Sequence, residues 1–392
     1  MKPLIDTQEF LSLSSFLNYQ LAGEPVNWQG ILNLMGIDSL SLDEMSGSFL
    51  MEALEYLGEA YGKQKRRLGP LAILHPIRAT SLLAKAYDKP STLNLLCTLF
   101  HDKDEDLTSD KYSPENWERL DTKFRHLLEK IDAKANWFLN ERIAYLAKPK
   151  GQKYTEYLGR LLAKARTAPE LAVVKLADRL DNTLDLRVDL QDSSGRPHTF
   201  QVIFDILFVN SYKGLKLTQP HPVAGRINGA MRLYQLYKNV VFLSMLRHEK
   251  VPMEEAGRRL FYSLAVASIR EAQTIMLHIF AYHLTGPDEQ RAVLFEAMEY
   301  SHAGGMDSIS GDGPSVLDGI FRKYFVFDNP EMKKKHLADL YADKRVMSLV
   351  AISFLIVFAN FINSEEYLVK GISPAGLIPQ TGDGRFLDTS DA

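Results

Sequence analysis

Apolar residues recur three and four positions apart through most of this 392-residue chain, as in Leu82, Leu83 and Ala86 or Leu171, Val174 and Leu180. That spacing lines one face of an α-helix, and the abundant Leu, Ala, Glu, Lys and Met favour helix. Strand-like alternation is scarce. Residues 200–209 form a β-branched and aromatic run, but their neighbours suit helix equally well. The pattern predicts an all-α protein.

The length exceeds a usual single domain, which predicts two compact units. Asp192-Ser-Ser-Gly-Arg-Pro197 interrupts one helical pattern before another resumes, so the boundary falls there. The expected layout is a helical extension over 1–46, a first domain over 47–195, a second helical domain over 196–370 and a loosely packed tail over 371–392. Residues 303–314, rich in glycine, read as a loop within the second domain.

Charge and cysteine content exclude several classes of function. A net charge of −3 provides no global attraction for DNA, RNA or anionic membranes, so any polyanion must be met locally. Cys97 is the only cysteine, which rules out disulfides and thiolate zinc sites within the chain and suits a reducing cytoplasm. The opening residues carry acids where a signal peptide needs an apolar run. Residues 347–362 are lipid-like but fall short of the roughly 20 residues that span a bilayer. With Asn360 inside and Lys344-Arg345 before it, this stretch reads as a buried helix.

Chemistry concentrates in three helical segments. His75 begins the first, followed by Pro76 in the first turn, where proline is tolerated. An apolar segment over 92–100 ends in His101-Asp102-Lys103-Asp104-Glu105-Asp106. On a third, over 170–186, Lys175, Asp178, Asn182 and Asp185 form a polar stripe beside an apolar face. Two imidazoles and two carboxylates (His75, His101, Asp102, Asp178) suit manganese, iron or zinc better than copper and leave coordination positions open. A cation held there would activate water and polarise a phosphoryl group, with Glu105 and Asp106 available to orient or deprotonate that water. Lys63, Lys65, Arg66 and Arg67 form a basic run before His75 that suits a nucleotide's phosphates.

In this order the motifs resemble the HD superfamily of metal-dependent phosphohydrolases. The similarity sharpens toward the hydrolase domain of the bifunctional alarmone enzymes and their small stand-alone relatives. The matching pieces are Arg66-Arg67-Leu-Gly-Pro-Leu-Ala-Ile-Leu-His75-Pro76, Leu99-Phe100-His101-Asp102-Lys-Asp-Glu105-Asp106, Lys150-Gly151 with Tyr154-Thr-Glu-Tyr157, and Val174-Lys175-Leu-Ala-Asp178-Arg179-Leu-Asp181-Asn182. The resemblance implies an HD-type helical bundle over 47–195 in which His75, His101, Asp102 and Asp178 hold one divalent metal. Manganese is the first expectation, with Fe2+, Zn2+ and Mg2+ as alternatives. It further implies that Glu105 and Asp106 are the catalytic pair, that Arg66 packs on a purine base and that Asn182 contacts a ribose. Lys65, Lys175 and Arg179 join them as expected substrate contacts. Lys103 and Asp104 replace the family's usual aliphatic residues, and Asp181 replaces its usual histidine; both departures are expected to alter the pocket wall.

The function implied is hydrolysis of a nucleotide (pyro)phosphate ester, with a guanosine polyphosphate as the nearest substrate class. A phosphomonoesterase or phosphodiesterase acting on another nucleotide, and a non-catalytic nucleotide- or metal-binding sensor, stand as alternatives. In the second half, His221, His248, His302 and His336 lack tight ligand spacing, His278 and His283, five apart, read as core or surface residues, and residues 304–313 lack the Gly-Lys-Ser/Thr ending of a phosphate loop. That half reads as a helical bundle suited to lidding the site, sensing a partner or forming a homo-oligomer.

Overall fold

In the computed structural model the described residues are 1–23, 25–37, 44–66, 71–186 and 228–377. The expected boundary at 192–197, the run at 200–209, Arg67 and His221 lie outside them. The described residues are predominantly helical, with one two-stranded hairpin, so the all-α expectation holds.

Local chemistry sets where the helices start. Asp6 and Glu9 form a reciprocal capping box on α1 (Thr7–Leu21), and Asn27 caps α2 (Trp28–Leu34). Next come α3 (Glu44–Tyr61) and α4 (Leu74–Ala86). Ser91 caps α5 (Thr92–Leu99), and a short α6 (Lys103–Asp106) follows. Ser113 caps α7 (Pro114–Glu129), which has proline in its first turn, and Asp132 caps α8 (Ala133–Leu146). Two helices, α9 (Tyr154–Ala165) and α10 (Glu170–Asp185), complete the first half.

The second half contains α11 (Gly229–His248), α12 (Glu255–Tyr282), α13 (Pro287–His302), α14 (Ile320–Phe325), α15 (Pro330–Ala342) and α16 (Lys344–Asn363). Strands β1 (Ile372–Ser373) and β2 (Gly376–Leu377) pair antiparallel. The start of the expected loose tail is therefore an ordered hairpin. Val369 and Ile372 are buried, and Pro374 lies against Gly159 of α9.

Helix α10 is the axis of the fold. It packs against α4, α5, α8 and α9 on one side and against α11 and α12 on the other, which buries nearly every one of its residues. One continuous apolar cluster extends from Ile5 to Ile372 and includes residues of both halves. Helix α16, expected to be buried, packs against α11, α12 and α13. Among the described residues it is the one helix long and apolar enough to cross a membrane, and 61% of its most apolar window is buried by protein. There Phe354 stacks on Phe321 with ring centres 5.0 Å apart.

A polar rivet joins the halves through this apolar interface. Asn239 of α11, fully buried, donates to Thr183 Oγ1 at 2.8 Å and to Ser268 Oγ at 2.9 Å. Its Oδ1 accepts from Nε and Nη2 of Arg179 at 2.9 and 2.8 Å. Every hydrogen-bonding position of the amide is used, which is what makes burying it tolerable. Replacing Asn239 with alanine strands a buried guanidinium and is expected to cost about 2–4 kcal/mol. Urea unfolding measures this, and a loss below about 1 kcal/mol would show that the rivet carries little of the interface.

Candidate metal centre

Three elements deliver four ligand-bearing side chains to one point. Helix α4 presents His75 in its first turn, the turn after α5 presents His101 and Asp102, and the middle of α10 presents Asp178. Their donor atoms all lie within 4.8 Å of one another. His75 Nε2 is 3.1 Å from His101 Nε2, 3.1 Å from Asp102 Oδ2 and 3.2 Å from Asp178 Oδ1. His101 Nε2 is 3.3 Å from Asp102 Oδ2 and 3.7 Å from Asp178 Oδ1. Bonds of about 2.1 Å to a common ion place neighbouring donors about 3.0 Å apart in an octahedron and about 3.4 Å apart in a tetrahedron. The observed separations fit such a shell.

The tautomers fit as well. His75 Nδ1 donates to Asp181 Oδ2 at 2.6 Å, and His101 Nδ1 donates to the Thr98 carbonyl at 2.7 Å. With each Nδ1 proton engaged, each neutral ring turns an Nε2 lone pair toward the same point as two carboxylate oxygens. Such an arrangement repels itself unless a cation sits at the focus or protons bind there instead.

The electrostatics express the same demand. Burial and Arg66 press the His75 pKa down, yet hydrogen bonds to Asp102, Asp178 and Asp181 override them and hold it at about 9. For His101, burial is likewise outweighed by Asp102 and Asp178, and the pKa lies well above the usual histidine range. Burial would raise the Asp178 carboxyl, but Lys175 and the two imidazoles hold it well below the usual carboxylate range. Asp102, at 22% side-chain exposure, is the most open of the four.

Beneath the ligands lies a layer that sequence spacing did not assign. Asp181, fully buried, accepts from His75 and from Nε and Nη2 of Arg78 at 2.8 and 3.1 Å, while Arg78 also reaches Asp185 at 2.6 Å. Asp181 was expected in the pocket wall; it is instead the buried carboxylate that orients His75. The signal for it was helical spacing: Asp181 stands three residues after Asp178, and Arg78 three after His75. The N-terminal extension closes this layer, with the Arg78 guanidinium 4.9 Å from the Phe10 ring centre and bonded to Ser14 Oγ.

The other expected residues divide. Lys175 binds Asp178 Oδ2 at 2.8 Å, and Asn182 Nδ2 donates to Asp178 Oδ1, so both orient that ligand. Arg66 reaches Asn182 Oδ1 at 2.7 Å and Asp185 Oδ2 at 3.1 Å, which fixes its guanidinium at the rim. Arg179, expected as a substrate contact, spends its donors on Asn239 and the Gln235 carbonyl. Successive helical residues lie about 100° apart, so Arg179 turns toward α11 while Asp178 faces the ligands. Lys65 is exposed, and its backbone bridges to Leu71. Lys103, also expected at the pocket wall, pairs with Asp104 and lies over the Phe124 ring of α7.

Glu105 and Asp106 follow Asp102 on α6. Glu105 Oε1 accepts from the Lys148 backbone N–H at 2.6 Å, and Asp106 Oδ2 accepts from the Tyr61 hydroxyl at 3.0 Å. Partial burial, then the charge of Asp102, raises the Glu105 pKa. His278 and His283 join no ligand cluster; among the described residues, the four ligands form the one group able to hold a metal. Searches against family models, curated proteins and solved structures return no match.

Two outcomes test this geometry. Because protons and metal compete for the histidines, metal affinity should rise with pH up to about 9, with proton release on binding. Affinity that stays flat from pH 6 to 9, measured by calorimetry, would exclude the imidazoles as ligands. Asp181→Asn should weaken metal binding by about 10–100-fold through loss of His75 orientation, while the four ligands remain in place.

Proposed function

We propose that this chain is a metal-dependent phosphohydrolase of the HD type, acting on a nucleotide. The observation that carries the reading is the pair of histidine Nε2 lone pairs, set by their Nδ1 hydrogen bonds, facing each other at 3.1 Å between two carboxylates. The donor set suits manganese, with Fe2+, Zn2+ and Mg2+ as alternatives. When bound, such an ion lowers the pKa of water and draws charge from a phosphoryl oxygen.

The chain's own groups complete the chemistry. Glu105, its carboxylate anchored by Lys148 N–H and its pKa raised, is suited to take the proton of an attacking water beside Asp102. Asp106, held by Tyr61, supports the same edge. Lys175 and Asn182 fix the Asp178 carboxylate so that it need not reorganise when the substrate arrives. The anchored guanidinium of Arg66, 23% exposed in its side chain, offers a planar face on which a purine can stack.

The substrate class follows from the motif resemblance, with a guanosine polyphosphate first among nucleotides. A cytoplasmic home accords with the buried lone Cys97, and neither nucleic acid nor a membrane is an expected partner. The test is phosphate and pyrophosphate release from a nucleotide panel, guanosine tetraphosphate included, by manganese-loaded protein. Asp102→Ala should abolish turnover and lower metal content. Glu105→Gln should reduce turnover by about 10²–10⁴-fold with metal retained. Metal-loaded wild type that releases nothing from any nucleotide would end the hydrolase reading and leave a metal-bound sensor.

A further inference from the structure

Beside the candidate metal centre lies a cluster of cations, of which the phosphohydrolase reading uses only Lys175. Lys238 of α11 is half-buried; Asp178 attracts it only weakly, and no ion pair to a carboxylate is formed among the described residues. Its Nζ stands 5.5 Å from the Tyr154 ring centre and 5.2 Å from that of Tyr234. Lys333 of α15 approaches the same Tyr234 ring at 4.1 Å. Arg179 is bonded to Gln235 and Asn239, which flank Lys238 on its helix. Lys175 completes the group, 5.1 Å from the Tyr157 ring, which in turn lies 6.2 Å from the Tyr154 ring. Asp178 answers the charge of Lys175; the described structure provides no equivalent carboxylate for Lys238.

Such a cluster is costly. Burial, followed by repulsion from Arg179, Lys333 and Lys175, pushes the Lys238 pKa down to about 7. Aromatic faces compensate an ammonium only weakly compared with an anion. The Tyr154 hydroxyl is also buried and has no hydrogen-bond partner. A buried donor with no partner, beside a half-buried ammonium with no carboxylate at bonding distance, has the chemistry of an anion site. Lysine ammoniums and a phenol O–H suit the tetrahedral oxygens of phosphate.

We propose that Lys238 and the Tyr154 hydroxyl form an anion subsite, shared between the two halves of the chain, that takes a phosphate chain. Its assignment to the substrate of the metal centre rests on the phosphohydrolase reading; the subsite's affinity for phosphate does not. The second half thereby acquires a role in recognition: it reads the substrate's phosphates away from the bond being cleaved.

The test uses full-length protein in chelator, with inorganic tripolyphosphate as the probe in calorimetry. Wild type should bind it, Lys238→Gln should bind at least about tenfold more weakly, and Lys238→Arg should recover most of the loss. Thermal melting supplies an independent reading. Without anion, Lys238→Met should melt above wild type because a repulsive charge is gone, and tripolyphosphate should stabilise wild type alone. Equal tripolyphosphate affinity in wild type and Lys238→Gln, or a Lys238→Met variant that melts below wild type, would overturn the subsite. Because the probe needs neither metal nor turnover, loss of the hydrolase reading and loss of the subsite are distinguishable.

Discussion

Asp181 is a carboxylate carried into the middle of a helical core, and much of the site is arranged around the cost of keeping it there. An ionised carboxylate loses several kcal/mol of hydration on burial unless its oxygens are fully engaged. Arg78 supplies two donors, His75 a third, and Arg66 approaches from the rim. Each of these bonds does more than neutralise a charge. The bond from His75 fixes which ring nitrogen faces the ligand cluster. The pair with Arg78 locks α4 against α10. Phe10 and Ser14 then cover Arg78 from above, so a segment far from the ligands in sequence becomes part of their foundation.

Much of this arrangement was legible in the sequence, and the reasons are specific. The helical class was readable because apolar residues recur at three- and four-residue spacing, as in Leu171, Val174 and Leu180, which face the core on α10. The grouping of His75, His101, Asp102 and Asp178 was readable because their order along three helices narrows the choice. The layer beneath was less readable. Spacing places Asp181 on the face of Asp178, but only the approach of α4 shows that His75 and Arg78 meet it. Arg179 misled for the opposite reason: it neighbours a ligand in sequence and faces away from it in space.

The second half illustrates a different obstacle. Lys238 and Asn239 are adjacent and unremarkable as letters, yet one joins a set of cations and the other is saturated by hydrogen bonds to α10 and α12. Their meaning depends on which elements α11 meets, and no local pattern encodes that. The same helix thus binds the first half through Asn239 and faces the metal centre's surroundings through Lys238. A half that looked like a separate bundle contributes directly to the environment of α10.

The two halves are also tied at distant points. The Leu4 backbone N–H donates to Ser263 Oγ on α12 at 2.9 Å. Pro374 fits so closely against Gly159 that a methyl group added there would meet its Cβ at 2.6 Å. A ribosome releases these partners in order, and that order is unfavourable. Helix α10 emerges with Asp178 long before α12 can cover its other apolar side, and α9 is made more than two hundred residues before Pro374. Nascent chains fold by units as they emerge, but here the first unit has no finished surface of its own. Its maturation is therefore a late event, completed only after Pro374 has been made, and until then the four grouped side chains are not held in register.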